Sequence, residues 1–220
     1  MKIDSTVKAL VFDAYGTLFD VASISVGNIS NQITKEVEVV WRTNQLNYSW
    51  LYTIMEKYQP FSEITKDALV YASKKFGIEL SASELEKVLT VYNQIEAYED
   101  VSAMLHQYKK LYRLNILTNA DPLLIENALK YNELTHYFHT VYSANEVRKF
   151  KPNASVYNLV LEGLGLSARE VLFFSSNAWD IFGAGTFGFQ TCWVNRQQQP
   201  FYEVPYQPNY IIQSFTAQID

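Results

Sequence analysis

The stretch Val7–Asp20, VKALVFDAYGTLFD, constrains the fold more than any other part of this chain. Val7, Ala9, Leu10, Val11 and Phe12 form a short apolar run that reads as a buried strand. The run ends on a carboxylate, Asp13. Gly16 then permits a tight turn, and Thr17 adds a hydroxyl. Open α/β sheets bind ligands beyond the carboxyl ends of their strands, so Asp13 stands where a site residue belongs. An Asp that merely caps a turn would leave the same local trace, and the rest of the chain must separate the two readings.

Residues 21–30 are polar and irregular. Glu36–Tyr58 carries Val37, Val40, Trp41, Tyr48, Leu51, Tyr52 and Met55 at helical spacing, with Pro60 as its stop. Ser62 is expected to cap a second helix running toward Phe76 and stopped by Gly77. Ser81-Ala-Ser-Glu84 is a capping box that opens a third helix through Leu85, Val88, Leu89 and Tyr92. Further helices are expected from Val101 to Tyr108, from Asp121-Pro122 with Asp as cap and Pro in the first position, from Val156 to a stop at Gly163 or Gly165, and over Gly183–Gly188. Strands are expected at Arg113–Thr118, Thr140–Ala144, Val171–Ser175, Thr191–Val194 and Tyr210–Gln213. Strands alternating with helices make βαβ units and a parallel sheet, so the class is α/β. The expected organisation is a core of residues 1–19 and 99–220, with a helical block, 20–98, inserted after the first strand. Such an insertion near the carboxyl ends of the strands is a natural lid.

Composition excludes several classes. Over 220 residues, a 48% hydrophobic content can build a sizeable core. A net charge of −5 argues against a nucleic-acid or anionic-membrane surface. The single cysteine, Cys192, precludes an intrachain disulfide and reads as a buried structural thiol in TCWVN. His106, His136 and His139 lack a zinc-like spacing with cysteine. No leader peptide is expected, because Lys2 and Asp4 precede only a short apolar run, and nothing approaches the ~18 apolar residues of a spanning helix. A cytoplasmic location is the default expectation.

Four strand ends carry polar residues in order: Asp13 with Thr17; Thr118-Asn119; Lys151-Pro152; and Ser175 through Asp180. Taken singly they are a turn cap, a helix-entry loop, a solvated turn and a helix cap. Together, each at a strand end or in the loop leading to the next helix, they are hard to reach by chance. The set resembles the four-motif pattern of the haloacid dehalogenase superfamily, and most closely the (S)-2-haloacid (L-2-haloacid) dehalogenases. DAYGTLFD at 13–20, WRTNQLNYSW at 41–50, FKPNASVY at 150–157, SSNAWD at 175–180 and TCWVNR at 191–196 carry the resemblance. It implies a Rossmann-like core with a helical cap inserted after the first motif.

Most relatives with such a core are Mg²⁺-dependent phosphatases, and this chain departs from them. Their acid/base Asp, two residues after the nucleophile, is here Tyr15, a poor proton donor or acceptor near neutrality. Their Gly-Asp pair in the fourth motif is here Ser175-Ser176, and a neutral hydroxyl replaces a carboxylate poorly on a hard cation. No metal or other cofactor is therefore expected. A carbon–halogen bond needs no acid for its leaving group, since halide is already a weak base. A phosphate-ester hydrolase and a catalytically silent binding protein are the competing readings. The first is disfavoured by residues 15 and 176, the second by retention of Asp13, Lys151, Asn177 and Asp180 together.

The resemblance also implies roles. Asp13 is the nucleophile, hydrogen-bonded by Thr17 and kept ionised by Lys151. Asp180 activates a water held by Asn177, with Ser175 positioning that carboxylate network and Tyr157 supporting the cluster. Thr118 and the backbone amides of Ala14 and Tyr15 take the substrate carboxylate. Arg42, Asn119 and Trp179 cradle the halide. Tyr15, Leu46, Phe61 and Trp179 line the alkyl group. The implied partners are a 2-haloacid, halide and a second copy of the chain through the cap helices.

Overall fold

The computed structural model describes residues 2–24, 27 and 29–216. Six strands, β1 (Ala9–Phe12), β2 (Arg113–Thr118), β3 (Thr140–Ser143), β4 (Val171–Ser175), β5 (Gln190–Val194) and β6 (Tyr210–Ile212), form one sheet in the order β3-β2-β1-β4-β5-β6. Every pairing is parallel. The unbroken apolar runs of β1 and β4 follow from this, because a parallel sheet is covered on both faces. Alternate residues part to opposite sides. Leu10, Phe12, Leu172 and Phe174 enter one core cluster, with the Phe12 and Phe174 rings stacked at 4.9 Å. Val11, Leu117, Val171 and Phe173 enter the other.

Helices α1 (Lys35–Ile54), α2 (Phe61–Lys75) and α3 (Ala82–Asn93) follow β1 in the chain, and α4 (Val101–Tyr108) leads into β2. Helices α5 (Pro122–Tyr131), α6 (Ala154–Leu164) and α7 (Ala178–Phe187) connect the later strands. The chain enters and leaves the α1–α3 segment through paired backbone: Asp20 N donates to Glu96 O at 2.8 Å, and Tyr98 N donates to Leu18 O at 2.9 Å.

Several boundaries differ from the sequence expectation. Helix α1 stops at Ile54 rather than Tyr58, because Glu56 turns to φ 54° and Lys57 N closes on Tyr52 O. Helix α2 opens at Phe61, which places Ser62 inside it; Pro60 holds the cap position and supplies no side-chain bond. Asp121 holds the cap position of α5, yet its carboxylate caps nothing there. Helix α7 begins at Ala178, five residues before Gly183. Strand β3 ends at Ser143, whose side chain turns to cap the next 3-10 turn. Within 21–30, Val21–Ser23 forms a 3-10 turn capped by Asp20, while Ser25, Val26 and Asn28 lie outside the described residues.

The strand order reverses at β1. Chain order runs outward through β2 and β3 on one side and through β4, β5 and β6 on the other. The carboxyl end of β1 is thus the topological switch point, where open α/β sheets leave a crevice.

Candidate active site

Asp13 lies one residue past β1 and is 6% exposed. Its amide donates to Phe174 O at 2.9 Å, which ties its backbone to β4. Gly16 turns at φ 87°, a conformation that side chains resist, and passes close to the Asn177 amide. That turn brings Thr17 back under Asp13. Three groups donate to Asp13 Oδ2: Thr17 Oγ1 at 3.0 Å, Ser175 Oγ at 3.2 Å and Asn177 Nδ2 at 2.9 Å. Among the described residues, Lys151 Nζ alone donates to Oδ1, at 2.8 Å. Oδ2 is saturated, whereas Oδ1 keeps a lone pair for chemistry.

The donors are themselves fixed. Thr17 Oγ1 accepts from Ser176 N at 2.8 Å, and Ser175 Oγ accepts from Asn177 N at 3.0 Å. Lys151 is 1% exposed and also donates to Asp180 Oδ2 at 2.5 Å and to Leu117 O at 3.1 Å. Asp180, in the first turn of α7, is wholly buried, and its Oδ1 accepts from Tyr157 Oη at 2.7 Å. Within the carboxylate network, Ser175 therefore acts on Asp13, and the Asp180 partners are Lys151 and Tyr157.

One cation serves two buried carboxylates, and the electrostatics reflect that imbalance. Burial alone would favour a neutral amine at Lys151, but Asp13 and Asp180 outweigh it and hold the ammonium above its ordinary pKa. Burial pushes Asp180 up to about 6, against the pull of Lys151 and with the repulsion of Asp13. Burial and the adjacent Asp180 raise the Tyr157 phenol, so it stays a donor. Asp180 titrates higher folded than unfolded, so its contribution to stability is fully present below ~4 and lost as pH rises through about 6. Equilibrium unfolding followed against pH should show that slope in the wild type, and Asp180→Asn should lack it.

A cavity of about 170 Å³ opens on this cluster. Asp13, Tyr15, Thr118, Asn119, Lys151, Asn177 and Trp179 meet it from the sheet side, and Arg42, Leu46 and Phe61 meet it from α1 and α2. Thr17, Tyr157, Ser175 and Asp180 stand behind them, and the Ala14 side chain is fully buried away from the cavity. Asn119 Oδ1 accepts from Lys151 N at 2.9 Å, which leaves its NH₂ for a bound acceptor. Among the described residues, Trp179 Nε1 has no hydrogen-bond partner. Arg42 spends Nε on Glu38 at 3.1 Å and Nη2 on Val21 O at 2.5 Å.

The sequence reading missed Gln45 and Tyr92, which also line the cavity. Gln45 Nε2 donates to Thr65 Oγ1 at 3.0 Å and to Tyr92 Oη at 2.8 Å. A signal existed. Glu38, Gln45 and Ser49 are polar residues buried on the same stripe of α1 as Val37 and Trp41, and a polar residue on a buried stripe needs a partner.

Mg²⁺ requires oxygen ligands in a charged, near-octahedral set. Here the Lys151 ammonium already bridges the two carboxylates, and Ser175 and Ser176 bring neutral hydroxyls, so the donors do not fit it. Among the described residues, no three His, Cys, Asp or Glu side chains gather as a metal group.

Known proteins resemble this chain in sequence and in fold. The chain is 35% identical over 218 residues to an (S)-2-haloacid dehalogenase of Pseudomonas sp. strain YL, covering 97% of this chain and 94% of that one. It is 39% identical over 195 residues to the (S)-2-haloacid dehalogenase of Xanthobacter autotrophicus, covering 88% and 77%. The crystal structure of L-2-haloacid dehalogenase from X. autotrophicus with chloropropionic acid covalently bound superposes with a TM-score of 0.89 at 32% identity, covering 95% of both chains. Residues 7–188 match the haloacid dehalogenase-like hydrolase family. A six-stranded parallel sheet with a carboxylate at its switch point, and likeness along nearly the whole chain, place this protein among the haloacid dehalogenase-like hydrolases.

Proposed function

We propose that this protein hydrolyses (S)-2-haloalkanoic acids to (R)-2-hydroxyalkanoic acids and halide. The observation that carries the reading is the state of Asp13: Oδ2 saturated by three donors, Oδ1 held by Lys151 alone, beside a small cavity walled by Tyr15, Leu46, Phe61 and Trp179. Oδ1 attacks C2 from the side opposite the halogen. The C–O bond forms as the C–X bond breaks, halide leaves with the bonding pair, and C2 inverts. The resulting ester is then cleaved by water at the Asp13 carboxyl carbon, so the product hydroxyl carries an Asp13 oxygen. Asp180 takes one proton of the water, and the departing hydroxyl oxygen receives the other as the Asp13 carboxylate re-forms.

Residues 20–98 act as the lid of this site, and 1–19 with 99–220 as its core. Thr118, with the amides of Ala14 and Tyr15, receives the substrate carboxylate; Arg42, Asn119 and Trp179 receive the halide. Arg42 is the one cation that reaches the cavity from α1, and Arg42→Ala should slow turnover on the order of 10²-fold, more for chloride than for bromide, in halide-release assays. Wild-type rates in that variant would remove it from the cradle. A base with its pKa at about 6 predicts that kcat rises through that pH, and Asp180→Asn should accumulate the ester, visible as added mass on the intact protein.

A homodimer through α1 fits the exposure of Val39, Leu51 and Ile54 on that helix. A cytoplasmic setting fits the free, buried Cys192, and no helix among the described residues is long and apolar enough to cross a membrane. The direct test of the activity is halide release from separate (S)- and (R)-2-chloropropionate with a chelator present. Release from the (S) form alone, giving (R)-lactate, is expected. Inert haloacids alongside Mg²⁺-dependent hydrolysis of an aryl phosphate would overturn the reading.

A further inference from the structure

Helix α2 starts without a cap of its own, because Pro60 has no side-chain acceptor to offer its first amides. Asp121 has the opposite condition. It occupies the cap position of α5 and leaves that helix uncapped. The two meet across the molecule: Phe61 N donates to Asp121 Oδ1 at 3.0 Å, and Ser62 N donates to Asp121 Oδ2 at 2.8 Å. A carboxylate from the loop after β2 thus caps a helix some 60 positions earlier in the chain, in the segment that covers the cavity.

The capped residue matters. Phe61 is a wall of the cavity, and its carbonyl accepts from Thr65 Oγ1 at 2.7 Å. Thr65 in turn accepts from Gln45, and Gln45 bonds Tyr92; Gln45 and Tyr92 are also walls. One carboxylate therefore anchors a chain of bonds running along the α1–α3 side of the cavity. Asp121 itself does not line that cavity.

We propose that Asp121 is a positioning residue: it clamps the start of α2 to the sheet, fixes Phe61 against bound substrate, and so sets how tightly substrate is held without touching it. Its effect on turnover rests on the dehalogenase reading above; its effect on α2 does not.

The test pairs Asp121→Ala with Asp121→Asn, which keeps one acceptor. Amide hydrogen exchange at Phe61 and Ser62 is read alongside KM and kcat for (S)-2-chloropropionate. In Asp121→Ala, exchange at those two amides should rise about fivefold, the equilibrium equivalent of one lost helix cap, while amides deeper in α2 stay unchanged. KM should rise by a similar factor, with kcat held within about twofold, since a binding contact rather than a transition-state contact is lost. Asp121→Asn should fall between Asp121→Ala and wild type on both readouts. Unchanged exchange in Asp121→Ala would overturn the clamp. Faster exchange with wild-type KM would overturn its role in holding substrate. If the alanine variant does not fold, the asparagine variant decides on the same two readouts, with wild-type values counting against the proposal. Should wild type release no halide from the haloacid, the dehalogenase reading fails on its own, and the exchange measurement still judges the clamp.

Discussion

Asp13→Asn should abolish halide release, lowering kcat/KM by on the order of 10⁴-fold or more, the scale of losing a covalent nucleophile. The substitution keeps the shape of the side chain. Thr17, Ser175 and Asn177 can still donate to an amide oxygen at the Oδ2 position. The new NH₂ would face the Lys151 ammonium where Oδ1 now accepts, so one good bond becomes a donor–donor conflict. That cost is partly offset, because Asp180 then has Lys151 to itself. The variant should therefore fold with native circular dichroism and only modestly reduced stability. Halide release near the wild-type rate from folded Asp13→Asn protein would remove the nucleophile assignment.

Lys151→Met should be the most damaging single change to the fold in this region. Methionine matches the lysine stem in volume and leaves both carboxylates buried without their cation. Removing one partner of a buried ion pair costs about 3–5 kcal/mol. Asp180 would respond by protonating at still higher pH, so the deficit should shrink as the solution is acidified. Urea unfolding of wild type and variant at neutral and mildly acidic pH checks both parts. A deficit that grows on acidification would mean that Lys151 is not balancing Asp180. Turnover should fall with stability if Asp13 is the nucleophile, because Lys151 is the only donor to Asp13 Oδ1 among the described residues.

The parts of this molecule legible in its sequence are those whose cause is local. Strands β2 and β4 run over the expected Arg113–Thr118 and Val171–Ser175: β4 is the apolar run that a strand covered on both faces needs, and β2 interrupts such a run only at Asn115. The Ser81 capping box reads correctly, since donor and acceptor lie three residues apart. Helix α1 reads too long, since Met55 and Tyr58 continue its apolar period beyond its end at Ile54. Asp121 next to Pro122 carries every local mark of an N-cap, and the amides it serves belong to another helix. Gln45 and Tyr92 look like ordinary helix-face residues until the fold closes them on each other. The motif residues are visible as strand-end polar groups, but not the division of labour behind the cavity. Whether Ser175 bonds Asp13 or Asp180 depends on side-chain directions that no spacing encodes.

Strand β1 is only four residues long, wholly buried, and hydrogen-bonded on both edges to β2 and β4. A group mounted on its end inherits the stiffness of the whole sheet. Asp13 is accordingly the fixed point of the molecule, and its aim cannot be adjusted from one substrate to the next. Tolerance for bulkier haloacids, whether by evolution or by engineering, has to be sought in the roof, at Leu46, Phe61 and the helices that carry them. Changes to the floor would shift reactivity for every substrate alike.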